Sequence, residues 1–285
     1  MGIRTVVFPV AGFGTRFLPA SKAVPKEMLP VMDRPLIQWA VEEAVAAGAT
    51  RMVFVVNRHK HAIQDHFEPA FELETKLAQS GRHELLKAVQ ATAPKGVEMV
   101  FVIQAEPRGL GHAVLCAEPA VGRESFAVIL PDDFIYSPQS PGAMAQMVAE
   151  HARHGGSVIA VEPIDPQLTE RYGIVRSDAE TGRIHAMVEK PKPEAAPSNL
   201  AIVGRYVLSG EVFDLLRATT PGAGGEIQLT DAIAGLLGRD GVFAYRFHGK
   251  RFDCGSKLGL VQATLRLALD DASIGQSVRE YMAQL

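Results

Sequence analysis

Four short runs of continuously apolar, β-branched residues constrain this chain most: Thr5–Val10, Arg51–Val56, Val97–Ile103 and Ser125–Leu130. Between them lie stretches with helical spacing, Pro35–Ala47 ending at Gly48, then His59–Phe67, Leu73–Ala91 and His112–Ala120. Strands that are apolar throughout, rather than alternating, are buried on both faces. Separated by helices, they predict an α/β fold whose sheet is mainly parallel, covered on both sides and joined by right-handed crossovers. Ligands of such sheets sit at the carboxyl ends of the strands. The second half is more mixed. It predicts a helix at Met144–Arg153, strands at Ser157–Glu162, Gly173–Arg176, Ile184–Glu189 and Ala201–Leu208, and helices at Val212–Arg217, Leu229–Leu237 and Leu258–Ala268. Three prolines mark Lys190–Asn199 as a loop rather than a linker, because strand pattern resumes at once. The expectation is one domain over residues 1–255, then a helical C-terminal segment, 256–285, that closes the core or meets another subunit.

Composition narrows the function classes. The 285 residues carry 29 Lys+Arg against 32 Asp+Glu, a formal charge of −3, which argues against a bulk nucleic-acid binder. Cys116 and Cys254 cannot build a disulfide framework, and no CxxC pair offers a zinc site. No apolar run approaches the ~18 residues of a membrane span. The opening MGIRTVVFPVAGFG reads as a strand entering a loop, not a signal peptide. A cytoplasmic protein without nucleic-acid or membrane partners is expected.

The densest signal is AGFGTRFLPASKAVPKEMLP, Ala11–Pro30, directly after the first strand. Backbone amides at Gly12 and Gly14 can approach an anion closely. Thr15 adds a hydroxyl, Arg16 a fork of donors suited to phosphate, and Lys26 a point-like charge. A Rossmann fingerprint would need a third glycine where Phe17 stands, and a P-loop would need Ser or Thr after Gly249-Lys250, where Arg251 stands. A tight turn with solvated charges remains the bland alternative for the two glycines alone.

The whole string resembles the signature of the sugar-1-phosphate nucleotidylyltransferases, in the form that transfers uridylyl groups. The resemblance continues through RGLGHA (Arg108–Ala113), LPDD (Leu130–Asp133), RYGIV (Arg171–Val175), VEKP (Val188–Pro191), GEIQLTDAI (Gly225–Ile233) and FDCG (Phe252–Gly255). It implies a nucleotide-diphospho-sugar transferase fold, a Rossmann-like mixed, mainly parallel sheet flanked by helices. It further implies UTP and glucose 1-phosphate as substrates, Mg²⁺ as cofactor, and a homo-oligomer, dimer or tetramer. A thymidylyltransferase and a non-catalytic regulatory paralogue are the alternatives.

The residues fit that chemistry, which consists largely of positioning and neutralising phosphate charge. The resemblance assigns Arg16 to the departing phosphates and Lys26 to the α-phosphate. Asp132 and Asp133 follow an apolar strand, where acids could serve a turn or cap a helix; the family pattern makes Asp132 the metal ligand. Asp253 resembles the second carboxylate, and Asp133 joins the sugar-phosphate residues. Ala11, Gly12, Gly14, Thr15, Gln104 and Gly109 complete the nucleotide set. An amide carries a donor and an acceptor and so can match the imide edge of uracil, but thymine shares that edge. Gly173, Glu189, Lys190 and Glu226 are assigned to the sugar phosphate. Other residues read as ordinary. His83-Glu84 lacks the second histidine of a zinc motif, His59, His61 and His66 share a polar helix and are solvated, and Cys254 packs.

Overall fold

A computed structural model describes residues 2–239 and 241–285. Its centre is a nine-stranded mixed sheet. One path through the sheet runs Ile184–Glu189, Gly173–Ser177, Leu200–Leu208, Phe126–Ile129, Thr5–Pro9, Arg51–Val56, Glu98–Ile103. The last four strands are mutually parallel, and they are the four apolar runs. Leu200–Leu208 reverses the direction, pairing antiparallel with Phe126–Ile129, Gly173–Ser177 and Ser157–Pro163. Val242–Tyr245, for which no strand is predicted, pairs parallel with Ser157–Pro163. The expected α/β class is therefore present, with its parallel half carrying the glycine-rich string.

Both faces of the sheet are buried, as continuous apolar strands require. Val7, Val53, Val55 and Val128 face one core, with helices Leu110–Cys116, Val212–Ala218 and Leu229–Ala234 over it. Phe8, Met52, Phe54 and Ala127 face the other, under Leu36–Ala46 and Ala143–His154. Among the described residues no helix is long and apolar enough to cross a membrane.

Four local expectations change. The predicted helix Leu73–Ala91 is two, Phe71–Gln79 and His83–Gln90, because Gly81 turns left-handed (φ +69) between them. The helix expected at His112 starts two residues earlier, at Leu110, and ends at Cys116 before a second short one, Glu118–Val121. His66 is half-buried rather than solvated: it bonds Gln38 Oε1 at 3.0 Å and meets the Phe67 ring edge-on. Finally, Asp133–Tyr136 and Lys250–Asp253 form an antiparallel ribbon that local pattern does not announce.

That ribbon decides the site. Phe134 and Phe252 turn to one side and pack with Val31, Leu36, Cys254, Ala263 and Leu267 in a third core. Ala263 and Leu267 belong to the C-terminal helix Lys257–Asp270, so this segment closes the core beneath the ribbon. Ser256 caps that helix by accepting from the Gly259 N–H at 3.1 Å.

Candidate active site

The carboxyl ends of the parallel strands carry the charged residues. Gly14 precedes a 3-10 turn, Thr15–Phe17, and its carbonyl accepts from Ser21 Oγ at 2.7 Å, curling the loop back toward Lys26. Gly12 and Thr15 are exposed, while Ala11 is buried. Lys26 Nζ lies 2.5 Å from Asp132 Oδ2, and Arg16 Nη2 lies 4.0 Å from the same oxygen. Burial pushes the Asp132 carboxyl up, but the Lys26 ammonium and then Arg16 outweigh it, leaving Asp132 below the usual carboxylate range. Burial likewise lowers Lys26, and Asp132 then Glu27 more than restore it, so its ammonium sits above its ordinary value. The pair is fully ionised at neutral pH.

Asp253 reaches this cluster through the ribbon, where it stands opposite Asp133. A side chain on Gly255 would put its Cβ 2.8 Å from Arg16 Nη2, 3.0 Å from Asp132 Oδ2 and 3.0 Å from Asp253 Oδ1. Glycine is therefore what lets two acids and a guanidinium converge on one point. Mg²⁺ takes one or two carboxylates and completes its shell with water and substrate phosphate. Asp132 and Asp253, open to a cavity, fit that donor set; among the described residues no cluster of three or more candidate ligands exists.

Beside the cluster lies a cavity of about 280 Å³. Of the predicted residues, Arg16, Asp132, Asp133, Gly173, Glu189, Lys190 and Asp253 line it. Gly173 and Glu189 are direct partners in the antiparallel ladder. Glu189 Oε2 accepts from Thr230 Oγ1 at 2.7 Å, and Lys190 Nζ lies 3.4 Å from Glu189 Oε1. Lys190 has φ +47, an uncommon conformation for a non-glycine residue. Both Asp133 oxygens are engaged inside the protein: Oδ2 accepts from the Gly204 N–H at 2.7 Å and Oδ1 from Arg251 Nε at 2.7 Å. Glu226 is exposed and does not line the cavity; its neighbours Gln228, Leu229 and Thr230 do. A larger cavity of about 850 Å³, between helix Ala143–His154 and the turn at 178–183, holds none of the predicted residues, so chemistry rather than volume identifies the site.

Gln104 is buried (6% exposed) at the end of its strand. Its amide nitrogen donates to the Gly109 carbonyl at 3.2 Å and meets His112 Nδ1 at 2.9 Å. Burial, followed by the Arg108 guanidinium, pushes the His112 imidazole down. The amide nitrogen of Gln104 is thus engaged internally, and among the described residues its carbonyl oxygen has no hydrogen bond. Gly109 has φ +100, a conformation that favours glycine. Its missing side chain admits the 226–227 segment, since a Cβ would lie 2.7 Å from Glu226 Cβ and 2.9 Å from the Ile227 carbonyl. The two loops are stitched by Gly111 N–H to Ile227 O and Ile227 N–H to Arg108 O, both 2.8 Å. Gly109→Ala should therefore destabilise the protein by about 1–3 kcal/mol and raise KM for the nucleotide. Thermal denaturation and initial rates check this, and an unchanged melting midpoint would show that the loops part without cost.

Sequence reasoning missed the supports. Arg251 is held by Asp133 and by Glu162 at 2.6 Å, and stacks over Tyr172. Arg205, 1% exposed, binds Glu43 and donates to the Leu130 carbonyl at 3.0 Å, bracing LPDD from beneath. An arginine inside the strand Leu200–Leu208, buried from Ala201 onward, was the available signal. Cys254 packs as expected: burial and the surrounding carboxylates push its thiol up to about 12, which removes it as a nucleophile.

Comparison with known proteins agrees with this geometry. A family model described as nucleotidyl transferase matches residues 7–268. The UTP–glucose-1-phosphate uridylyltransferase of Pseudomonas aeruginosa is 44% identical over 265 residues, 92% of this chain and 95% of the relative. A UTP-bound UGPase from Acinetobacter baumannii superposes with TM-score 0.91 at 42% identity, covering 99% of each chain. A UDP-glucose pyrophosphorylase complexed with UDP-glucose gives TM-score 0.86 at 40% identity, covering 94% of this chain and all of the other. With the site's charges at the strand ends and these matches along nearly its whole length, the chain belongs to the nucleotidyl transferase family.

Proposed function

We propose that this chain transfers UMP from UTP to α-D-glucose 1-phosphate, giving UDP-glucose and pyrophosphate. The observation that carries the reading is the convergence of Arg16, Lys26, Asp132 and Asp253 beside a cavity walled by Glu189 and Lys190. Relatives named for this reaction support it. A phosphate oxygen of the sugar phosphate attacks the α-phosphorus in line, and pyrophosphate leaves, so no protein nucleophile is needed. Lys26 neutralises the α-phosphate, Arg16 the departing phosphates, and Lys190 the incoming sugar phosphate. Glu189 accepts from sugar hydroxyls, and the free carbonyl of Gln104 accepts from the base imide. Asp132 and Asp253 would hold Mg²⁺, which when bound supplies further neutralisation of phosphate charge.

Incubation with UTP, glucose 1-phosphate and Mg²⁺ should release pyrophosphate and form UDP-glucose. Running the same assay with dTTP and other sugar phosphates tests the choice of substrates; turnover with dTTP alone would remove the uridylyl assignment. The outer side of helix Lys257–Asp270, where Leu258 and Val261 are exposed, supports a homo-oligomer. Light scattering should give a mass above that of one chain, and a monomeric mass would contradict it.

A further inference from the structure

One short loop outside the cavity holds both ends of the nucleotide segment. It follows the strand Arg51–Val56 and carries Asn57 and Lys60. At the front of the segment, Asn57 Nδ2 donates to the Ala11 carbonyl at 2.6 Å. At the back, Lys60 Nζ lies 2.6 Å from Glu27 Oε2, with the two side chains only 5% and 2% exposed. The loop is itself tied: His59 N–H donates to Asn57 Oδ1 at 2.8 Å, and Lys60 N–H to the Asn57 carbonyl at 3.1 Å.

Glu27 is the neighbour of Lys26 in the 3-10 turn Lys26–Met28. Consecutive side chains in such a turn point about 120° apart, so anchoring Glu27 inward aims Lys26 outward at Asp132. Burying two charges is costly and is rarely repaid in stability alone. Removing one partner leaves an uncompensated carboxylate beside Lys26, free to compete with Asp132 for its ammonium.

We propose that Lys60 is a positioning residue of the transfer reaction: through Glu27 it locks the Lys26–Met28 turn so that Lys26 stays on Asp132. The proposal rests on Lys26 acting as the phosphate clamp. Lys60→Met should lower kcat about tenfold while KM for glucose 1-phosphate stays within about twofold. The double variant Glu27→Gln/Lys60→Met, which leaves no orphan charge, should recover part of that loss.

The deciding comparison uses Lys26→Met as background. Because Lys60 acts through Lys26, adding Lys60→Met there should cost less than about twofold. Equal losses in both backgrounds, or a folded Lys60→Met enzyme with wild-type kcat, would overturn the proposal. If Lys60→Met fails to fold, Lys60→Arg replaces it. Its longer, planar head displaces Glu27, so a lowered kcat with unchanged KM supports the brace and a wild-type kcat refutes it. Wild-type enzyme in the same assay keeps the two readings apart. An inactive wild type fails the proposed reaction, and only losses relative to an active wild type bear on Lys60.

Discussion

Asp132→Asn is expected to cut pyrophosphate release about 10³-fold while leaving circular dichroism unchanged. Asparagine keeps the shape but removes the charge that Lys26 contacts at 2.5 Å, leaving a neutral amide beside Asp253 above Gly255. An unchanged rate would remove Asp132 from the reaction. The same variant has a pH signature. Because the Asp132 carboxyl is depressed on folding, it contributes stability above its unfolded value and loses it as pH falls through the folded one. Wild type should therefore show a stability loss from this group only below the ordinary carboxylate range of about 4, and that acid limb should shrink in the Asn variant. Melting midpoints measured from neutral to acid pH in both proteins check the sign.

Lys26→Met should lower kcat by about 10²- to 10³-fold. Lys26→Arg should not restore it, because a planar fork does not replace a compact ammonium in a buried contact. The Lys26 ammonium is raised on folding, so its contribution is full below its unfolded value and lost only as pH rises through the folded one. No alkaline fall in rate should arise from Lys26 below about pH 10. Since Lys26 and Asp132 touch, their losses should be far from additive. A double variant as slow as the product of the two single losses would show that they act independently.

Much of the site was legible because its residues cluster in short strings beside recognisable strands. Arg16 and Lys26 follow the first strand, Asp132 follows the fourth apolar run, and Glu189 ends the strand Ile184–Glu189 with Lys190 next to it. Roles of single groups were less legible. Asp133 looks like a ligand contact in sequence, and in the fold it lines the cavity while its two oxygens also accept from Gly204 and Arg251, a bracing role the sequence does not show. Gly109 looks like a place for a base to approach, and in the fold its missing side chain also admits Glu226 and Ile227. The Asp133–Tyr136 and Lys250–Asp253 ribbon escaped notice because four-residue strands with charged ends carry too little periodicity to register.

By itself the sequence determined the layered α/β class, the parallel half of the sheet, and which strings carry phosphate chemistry. The class and the parallel half follow from burial and backbone preference, which a run of residues expresses within its own length; the phosphate strings are assigned by their resemblance to the family's motifs. Only the tertiary structure decided partners: Asp253 beside Asp132 over Gly255, Thr230 on Glu189, Arg205 under Leu130, and Lys60 on Glu27. The physical reason is that a charge or hydrogen bond is satisfied by whatever packing brings within about 3 Å, and residues distant in the chain meet only after the sheet has chosen its strand order.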